Sequence, residues 1–154
     1  IEHYNLDNNS RVLDVGCGKG YLLYEIKKLL PKSDVRGLDI SDYAIKNSKK
    51  EISEYLKLGN ANHLPYENNE FDLVISLNTL HNLYCYDLIG SLKEIERVSK
   101  NNKYVCVESY RNEIEKVNLL YWQVTCECFF TPDEWKWFFK ESGYTGDYSF
   151  IYFE

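Results

Sequence analysis

The amino-acid sequence predicts an α/β fold, with an open, mostly parallel sheet of about six or seven strands, helices on both faces and an antiparallel C-terminal strand. Short apolar runs typical of buried strands alternate with segments whose apolar residues recur at helical spacing. This alternation implies parallel strands joined by right-handed crossover helices. The length of 154 residues, of which 44% are hydrophobic, suits one domain over residues 1–154 with a single core.

The first predicted unit is a strand, a glycine-rich turn and a helix. Residues 12–15 carry the apolar character of a strand and lead into Gly16-x-Gly18-x-Gly20. Residues 19–30 then show apolar positions at helical spacing, and a proline closes that pattern. Glycine tolerates positive φ and lets backbone N–H groups approach a ligand at a helix N-terminus. The turn is therefore predicted to bind a ligand, the alternative being an ordinary glycine-rich connection.

The middle of the chain continues the alternation. The predicted elements are a strand over 34–40, a helix from 42 to about 58 after Ser41 as N-cap, a short strand within 58–65 and a strand over 71–77. The last of these is continuously apolar, which indicates a central strand buried on both faces.

The second half begins with a helix over 87–99 and a buried strand over 103–108, and then changes character. Residues 113–128 show a moderate helical pattern. A further helix starts at Thr131-Pro-Asp-Glu134, which has the residues of a capping box, and Gly143 stops it. The alternating, aromatic-rich segment 144–154 predicts a final strand, antiparallel and at or near the sheet edge.

Composition disfavours several classes of partner. The net charge of −6 and the absence of any long Lys/Arg cluster make nucleic acid an unexpected partner. No apolar run is long enough to predict a membrane span. Five cysteines without a signal peptide favour reduced thiols and a cytoplasmic location, and the spacing of Cys126 and Cys128 does not match a zinc site, so no metal is expected. The absence of any methionine indicates either a fragment or a chain from which some residues are absent, and it leaves open a missing N-terminal helix.

Two aspartates suggest the chemistry of the ligand. Asp39 ends the second predicted strand, 23 residues after Gly16, where a carboxylate can accept both hydroxyls of a ribose. The alternative for Asp39 is a helix-capping role near Ser41. Asp14 stands two residues before Gly16, where it would repel a pyrophosphate but attract an amino or sulfonium group. The glycine spacing also departs from Gly-x-Gly-x-x-Gly, so S-adenosylmethionine is favoured over a dinucleotide.

Four segments resemble, in order, the motifs of class I S-adenosylmethionine-dependent methyltransferases, especially the small-molecule branch that includes ubiquinone-type enzymes. They are Val12-Leu-Asp-Val-Gly-Cys-Gly-Lys-Gly20, Gly37-Leu-Asp-Ile-Ser41, Gly59-Asn-Ala-Asn-His-Leu-Pro65 and Phe71-Asp-Leu-Val-Ile-Ser76. The resemblance covers about residues 10–108 and implies a Rossmann-like fold. It also implies S-adenosylmethionine as cofactor and S-adenosylhomocysteine as product.

The resemblance assigns cofactor contacts residue by residue. The methionine moiety would be held by Asp14 and by the turn residues Gly16, Cys17, Gly18 and Gly20. Asp39 would bind the ribose, Ile40 the adenine face, and Asn60 and Ala61 the adenine edge, while Asn78 would lie near the amino acid end. The family commonly has Asp where this chain has Asn60, a change that leaves a side-chain carbonyl to accept from the adenine amino group.

The chemistry implied by the resemblance is in-line methyl transfer to a small-molecule acceptor, which depends mainly on alignment and desolvation. If the acceptor must lose a proton, the candidate bases are His81 and Glu108, each following a buried strand. The alternatives are a hydrogen-bonded loop histidine and a polar network between Glu108 and Arg111.

The insertion over 109–130 lies where this family often places a substrate lid. Its aromatic residues would form either a pocket wall or part of the core. Two other functions stay open at this stage: a noncatalytic cofactor-binding domain of the same fold, and an NAD-dependent oxidoreductase. The sequence determines neither the acceptor nor the oligomeric state.

Overall fold

A six-stranded parallel sheet in the order β3-β2-β1-β4-β5-β6 forms the centre of the protein, seen in a computed structural model that describes residues 1–154. The strands are β1 (Arg11–Val15), β2 (Asp34–Asp39), β3 (Leu56–Leu58), β4 (Phe71–Leu77), β5 (Ser99–Glu108) and β6 (Asp147–Ile151). The helices are α1 (Tyr21–Leu29), α2 (Asp42–Lys46), α3 (Cys85–Val98), α4 (Glu113–Trp122) and α5 (Pro132–Ser142). Short 3-10 turns lie at Glu2–Tyr4, Ser53–Tyr55 and Leu80–Asn82.

The order of the strands reverses beside β1. From β1 the chain moves outward through β2 and β3, then returns to pair β4 with the other side of β1 and continues outward through β5 and β6. In such a sheet the loops at the carboxyl ends of the two central strands diverge and leave a crevice where ligands bind. The topology therefore locates the candidate site at the ends of β1 and β4.

The core has two parts, one on each face of the sheet. A cluster of 18 buried residues lies on the side of α3 and α5, and a cluster of 10 lies on the side of α1. Strand β4 contributes Val74 to the larger cluster and Leu73 and Ile75 to the smaller one. The prediction of a central strand buried on both faces, with helices on both sides, is confirmed. None of the helices has the length and apolar character needed to cross a membrane.

The predicted antiparallel C-terminal strand is wrong. Strand β6 runs parallel to β5, with Tyr104 opposite Asp147 and Glu108 opposite Ile151. Residues 109–146 carry α4 and α5. They return the chain from the carboxyl end of β5 to the edge of the sheet where the strands begin, as a crossover between parallel strands requires. The alternating aromatic pattern indicated a half-buried edge strand but carried no information on its direction.

The second helix is much shorter than predicted. It ends at Lys46. The Asn47 side-chain amide donates to the Tyr43 carbonyl and the Ser48 hydroxyl donates to the Ile45 carbonyl, and such local bonds compete with helix continuation. Ile52 is nevertheless fully buried, so the helical spacing reflected burial rather than helical backbone.

The third strand comes earlier than predicted, at Leu56–Leu58 rather than within 58–65. Leu56 packs closely over Gly20 and Gly37, where an added Cβ would lie 2.9 and 2.6 Å from its methyl carbons. Leu56 also lies opposite Gly37 in the pairing of β3 with β2. Residues 59–65 then form the loop beyond its carboxyl end.

Helix α5 begins and ends as predicted. Thr131 and Glu134 form the reciprocal capping box, and Gly143 adopts a φ of 74° at the C-terminus. By contrast, α4 ends at Trp122, six residues before the predicted Cys128, and the segment after it is irregular.

Candidate functional site

A cavity of about 450 Å³ opens at the carboxyl ends of β1, β2, β3 and β4, at the point where the strand order reverses. Its volume lies in the range typical of cofactor pockets. The lining residues are Gly16, Leu38, Asp39, Ile40, Gly59, Asn60, Ala61, Leu77, Asn78, Thr79, Asn82, Leu83, Tyr84 and Asp87. Six of the residues expected from the sequence are therefore brought together here: Gly16, Asp39, Ile40, Asn60, Ala61 and Asn78.

The backbone of the loop between β1 and α1 requires glycine at three positions. Gly16, Gly18 and Gly20 all adopt positive φ, at 84°, 52° and 75°. At Gly16 an added Cβ would also lie 2.1 Å from the Thr79 hydroxyl oxygen. The loop therefore passes directly against the residue that follows β4, and any side chain at Gly16 would push the two apart.

The amides of this loop are already used within the protein. The N–H groups of Gly16 and Cys17 both donate to the Leu38 carbonyl, at 2.7 and 3.2 Å. The Gly18 N–H donates to Asp39 Oδ2 at 2.7 Å. A phosphate cradle needs free amides directed at the ligand. The loop thus brings backbone close to the cavity without offering these amides to an anion.

Asp14 lies at the end of β1 and is only 4% exposed. Burial, together with the neighbouring negative charge of Asp39, raises the pKa of Asp14 to about 7. No hydrogen bond contributes to this value, because no protein donor reaches the carboxyl group. A buried carboxyl group without a donor can be stabilised by a cation that approaches from the adjoining crevice.

Asp39 accepts hydrogen bonds from two backbone amides beside the cavity. Its Oδ1 accepts the Ser41 N–H at 2.8 Å and its Oδ2 accepts the Gly18 N–H at 2.7 Å, so the carboxylate ties the glycine loop to the start of α2. The capping group of α2 is the Ser41 hydroxyl, which accepts from the Ala44 N–H. Asp39 is half-buried and still lines the cavity.

Four more of the predicted cofactor residues line the cavity. Ile40 is 70% exposed at the cavity mouth, and Ala61 is buried in the lining. The Asn60 side-chain carbonyl accepts the Asn62 N–H at 3.1 Å, which leaves one lone pair for a ligand. Asn78 is exposed and adopts a φ of 54° as the chain leaves β4.

The other loop residues do not line the cavity. Gly18 and Gly20 shape the turn, and the Cys17 thiol points into the core beside Gly37. Burial raises the pKa of the Cys17 thiol, which keeps it protonated. Their contribution to the site is conformational, through the backbone.

The two candidate bases meet each other behind the cavity. His81 Nδ1 accepts the Glu108 N–H at 3.3 Å, and His81 Nε2 lies 3.4 Å from Glu108 Oε2. Glu108 Oε1 accepts from Gln123 Nε2 at 2.6 Å. Burial lowers the pKa of His81 to about 4 and raises the pKa of Glu108. Neither side chain lines the cavity.

The expected alternative network between Glu108 and Arg111 does not form. Arg111 pairs instead with Glu115 and Glu154. Glu108 takes its carboxylate contacts from His81 and Gln123 and is 2% exposed.

One wall of the cavity was largely missed from the sequence. Thr79, Asn82 and Leu83 follow β4, and Asp87 lies in the first turn of α3. Their position directly after a predicted central strand is the signal for this wall in the sequence, which predicts only Asn78 and His81 as site residues there. With Asp87 included, the ionisable groups in the lining are two carboxyls and the Tyr84 phenol, without any lysine or arginine.

Comparison with known proteins agrees with this geometry. Residues 6–143 match a family described as methyltransferase domain. The demethylmenaquinone methyltransferase of Lactiplantibacillus plantarum is 36% identical over 114 residues, covering 68% of this chain and 47% of that protein. The protein of the same name from Halalkalibacterium halodurans is 32% identical over 129 residues, covering 79% of this chain and 52% of that protein. The chain thus spans about half the length of these relatives.

A solved structure, the YcgJ protein of Bacillus subtilis, has the same fold with a TM-score of 0.73 and 19% identity. The match covers 92% of this chain and 64% of that one. Together, the sheet topology, the cavity at its switch point and the match over residues 6–143 show that the chain belongs to the methyltransferase-domain family of class I S-adenosylmethionine-dependent methyltransferases.

Proposed function

We propose that the protein transfers a methyl group from S-adenosylmethionine to a small-molecule acceptor by in-line displacement. The observation that carries this proposal is the charge of the site: a cavity at the sheet switch point has two carboxyls and no lysine or arginine in its lining. A third carboxyl, that of Asp14, does not line the cavity but is buried in β1, two residues before Gly16 of the lining. Such a site suits a ligand with positively charged groups and repels a pyrophosphate. This is also the reason to prefer S-adenosylmethionine over a nicotinamide dinucleotide.

Each group of residues has a defined role in the proposal. S-Adenosylmethionine, when bound, supplies an electrophilic methyl group on a sulfonium. Asp14 offers its buried carboxylate to the positively charged end, and Asp39 accepts hydrogen bonds from the ribose. The adenine would be recognised by Ile40, Asn60 and Ala61. The glycine loop fixes the distance between backbone and ligand, which aligns the methyl group for attack.

In this proposal, residues in the second half of the chain bind the acceptor. Residues 109–130 act as a substrate lid, and several apolar side chains of α4 are exposed, among them Ile114 at 73% and Tyr121 at 86%. Demethylmenaquinone is the first acceptor to test, because two of the relatives carry that name. We place the activity in the cytoplasm, in line with the free cysteines.

Calorimetry with S-adenosylmethionine and S-adenosylhomocysteine tests the cofactor. Binding of both, and no thermal protection by NAD, is the expected result, while protection by NAD alone would reverse the assignment. Incubation with methyl-labelled cofactor and metabolite mixtures then tests turnover. If the cofactor binds but no acceptor gains label, the protein is a noncatalytic cofactor-binding domain.

A further inference from the structure

Three side chains, two buried and one half-buried, form a chain of contacts between the turn after β4 and the segment that follows α4. His81, in the 3-10 turn after β4, is fully buried and faces Glu108 at the end of β5. Glu108 in turn accepts from Gln123, the residue directly after α4. We call these three residues the latch.

The protonation of the latch follows from its geometry. The Nδ1 atom of His81 accepts an N–H, so in the neutral imidazole the proton lies on Nε2, which faces Glu108 Oε2. These two atoms are buried and have no other hydrogen-bond partner in the protein. Since a buried polar atom needs a partner, each supplies what the other lacks. Glu108 Oε1 therefore has the Gln123 amide as its donor, and Glu108 Oε2 faces the protonated Nε2 of His81 at 3.4 Å, without a full hydrogen bond.

Backbone contacts extend the latch to the cavity wall, which we define as residues 78–84. The His81 carbonyl accepts the N–H groups of both Glu127 and Cys128, each at 2.9 Å. Beside it, the Thr125 hydroxyl donates to Asn82 Oδ1 at 3.0 Å. Asn82 lines the cavity, so the segment 123–128 holds the wall from behind.

We propose that His81, Glu108 and Gln123 are positioning residues that hold the cavity wall in its ligand-binding conformation by fastening it to the segment 123–128. None of the three latch side chains lines the cavity. The latch acts on the cavity through Asn78 and Thr79, which directly precede the 3-10 turn of His81, and through Asn82 within that turn. This inference rests on the proposed function only in taking S-adenosylhomocysteine as the ligand that reports the state of the wall.

An exchange of the carboxylate and the amide between positions 108 and 123 tests the latch. In Gln123→Glu two carboxylates face each other in place of the 2.6 Å hydrogen bond and neither supplies a donor, which breaks this contact. In the double variant Glu108→Gln with Gln123→Glu, the amide at position 108 can donate to the new carboxylate and accept from His81, so the pattern is restored. We expect about tenfold weaker binding of S-adenosylhomocysteine in Gln123→Glu and recovery to within about twofold in the double variant.

Hydrogen exchange and two controls make the result decisive. The amides of Glu127 and Cys128 should exchange about tenfold faster in Gln123→Glu than in the wild type and recover in the double variant. Val98→Ala removes buried core volume at the far end of α3 and lowers stability without touching the latch, and Asn101→Asp makes the same amide-to-carboxylate change on an exposed side chain. Both controls should keep wild-type affinity and wild-type exchange at these amides.

Each outcome has one meaning. Unchanged exchange in Gln123→Glu, or no recovery in the double variant, would overturn the latch. If the wild type does not bind S-adenosylhomocysteine, the proposed function fails, and the exchange data still decide whether the latch holds the wall.

Discussion

Replacing Asp14 by asparagine should stabilise the free protein while it weakens cofactor binding. The Asp14 carboxyl is buried, has no hydrogen-bond donor and lies near Asp39, so its ionised form is disfavoured in the folded state. Asparagine has nearly the same shape and carries no charge. The substitution therefore removes the cost of ionisation and, with it, the group proposed to meet the positive end of the cofactor.

The magnitude follows from the pKa of Asp14. It rises from an ordinary value of 3.8 to about 7 in the folded protein, and each pKa unit corresponds to about 1.4 kcal/mol. The folded state holds its proton more tightly than the unfolded chain, so the free energy of unfolding falls as the pH rises from about 4 to about 7. The loss amounts to about 4 kcal/mol when the titration is complete.

Urea unfolding between pH 4 and pH 8, followed by circular dichroism, measures this difference. The wild type and Asp14→Asn should have similar stability at pH 4, and the variant should be more stable by a few kcal/mol at pH 8. Calorimetry of S-adenosylmethionine binding at pH 6 should show proton release by the wild type but not by the variant. An advantage of Asp14→Asn that is the same at pH 4 and pH 8 would refute this account of the site.

Three further substitutions separate the parts of the site from the fold. Gly16→Ala should abolish cofactor binding, because its methyl group would meet Thr79 at 2.1 Å, and calorimetry that shows wild-type affinity would contradict the assigned loop geometry. Asp39→Ala should weaken binding by about 1–3 kcal/mol, whereas Asp42→Ala, on the exposed face of α2, serves as its control; equal affinities would remove Asp39 from the ribose site. Thr131→Ala should lower the free energy of unfolding by about 0.5–2 kcal/mol through loss of the capping box and leave cofactor affinity unchanged, and the absence of any change in urea unfolding would show that the cap does not contribute.

Signals confined to a few neighbouring residues could be interpreted correctly from the sequence. The structure has the capping box of Thr131 and Glu134, the glycine after α5 and the apolar run of β4. Each of these signals acts over one turn or one strand. The strand-to-helix glycine loop also belongs to this class, because its positive φ angles require glycine locally.

Features that depend on distant partners could not be predicted in the same way. The direction of β6 is decided by the path of residues 109–146 across the sheet, and its own alternating pattern suits either direction. The short α2 results from local side-chain bonds that compete with a helical pattern of burial, and both effects were visible in the sequence without a way to rank them. His81 and Glu108 were both noticed, but their mutual contact needed the register between β4 and β5 and the position of the turn.

The selectivity of the site rests on its carboxyls more than on its glycines. A glycine loop before a helix suits either a dinucleotide or S-adenosylmethionine, and here three of the loop amides are bonded to the Leu38 carbonyl and to Asp39 instead of facing the cavity. Attraction for a ligand must then come from the charged groups, which are carboxyls only. The buried Asp14 costs stability in the free protein, and a positively charged ligand is the kind of partner that restores it. Under the proposed assignment, the same charge that weakens the fold therefore disfavours the pyrophosphate that the glycine pattern alone would have allowed.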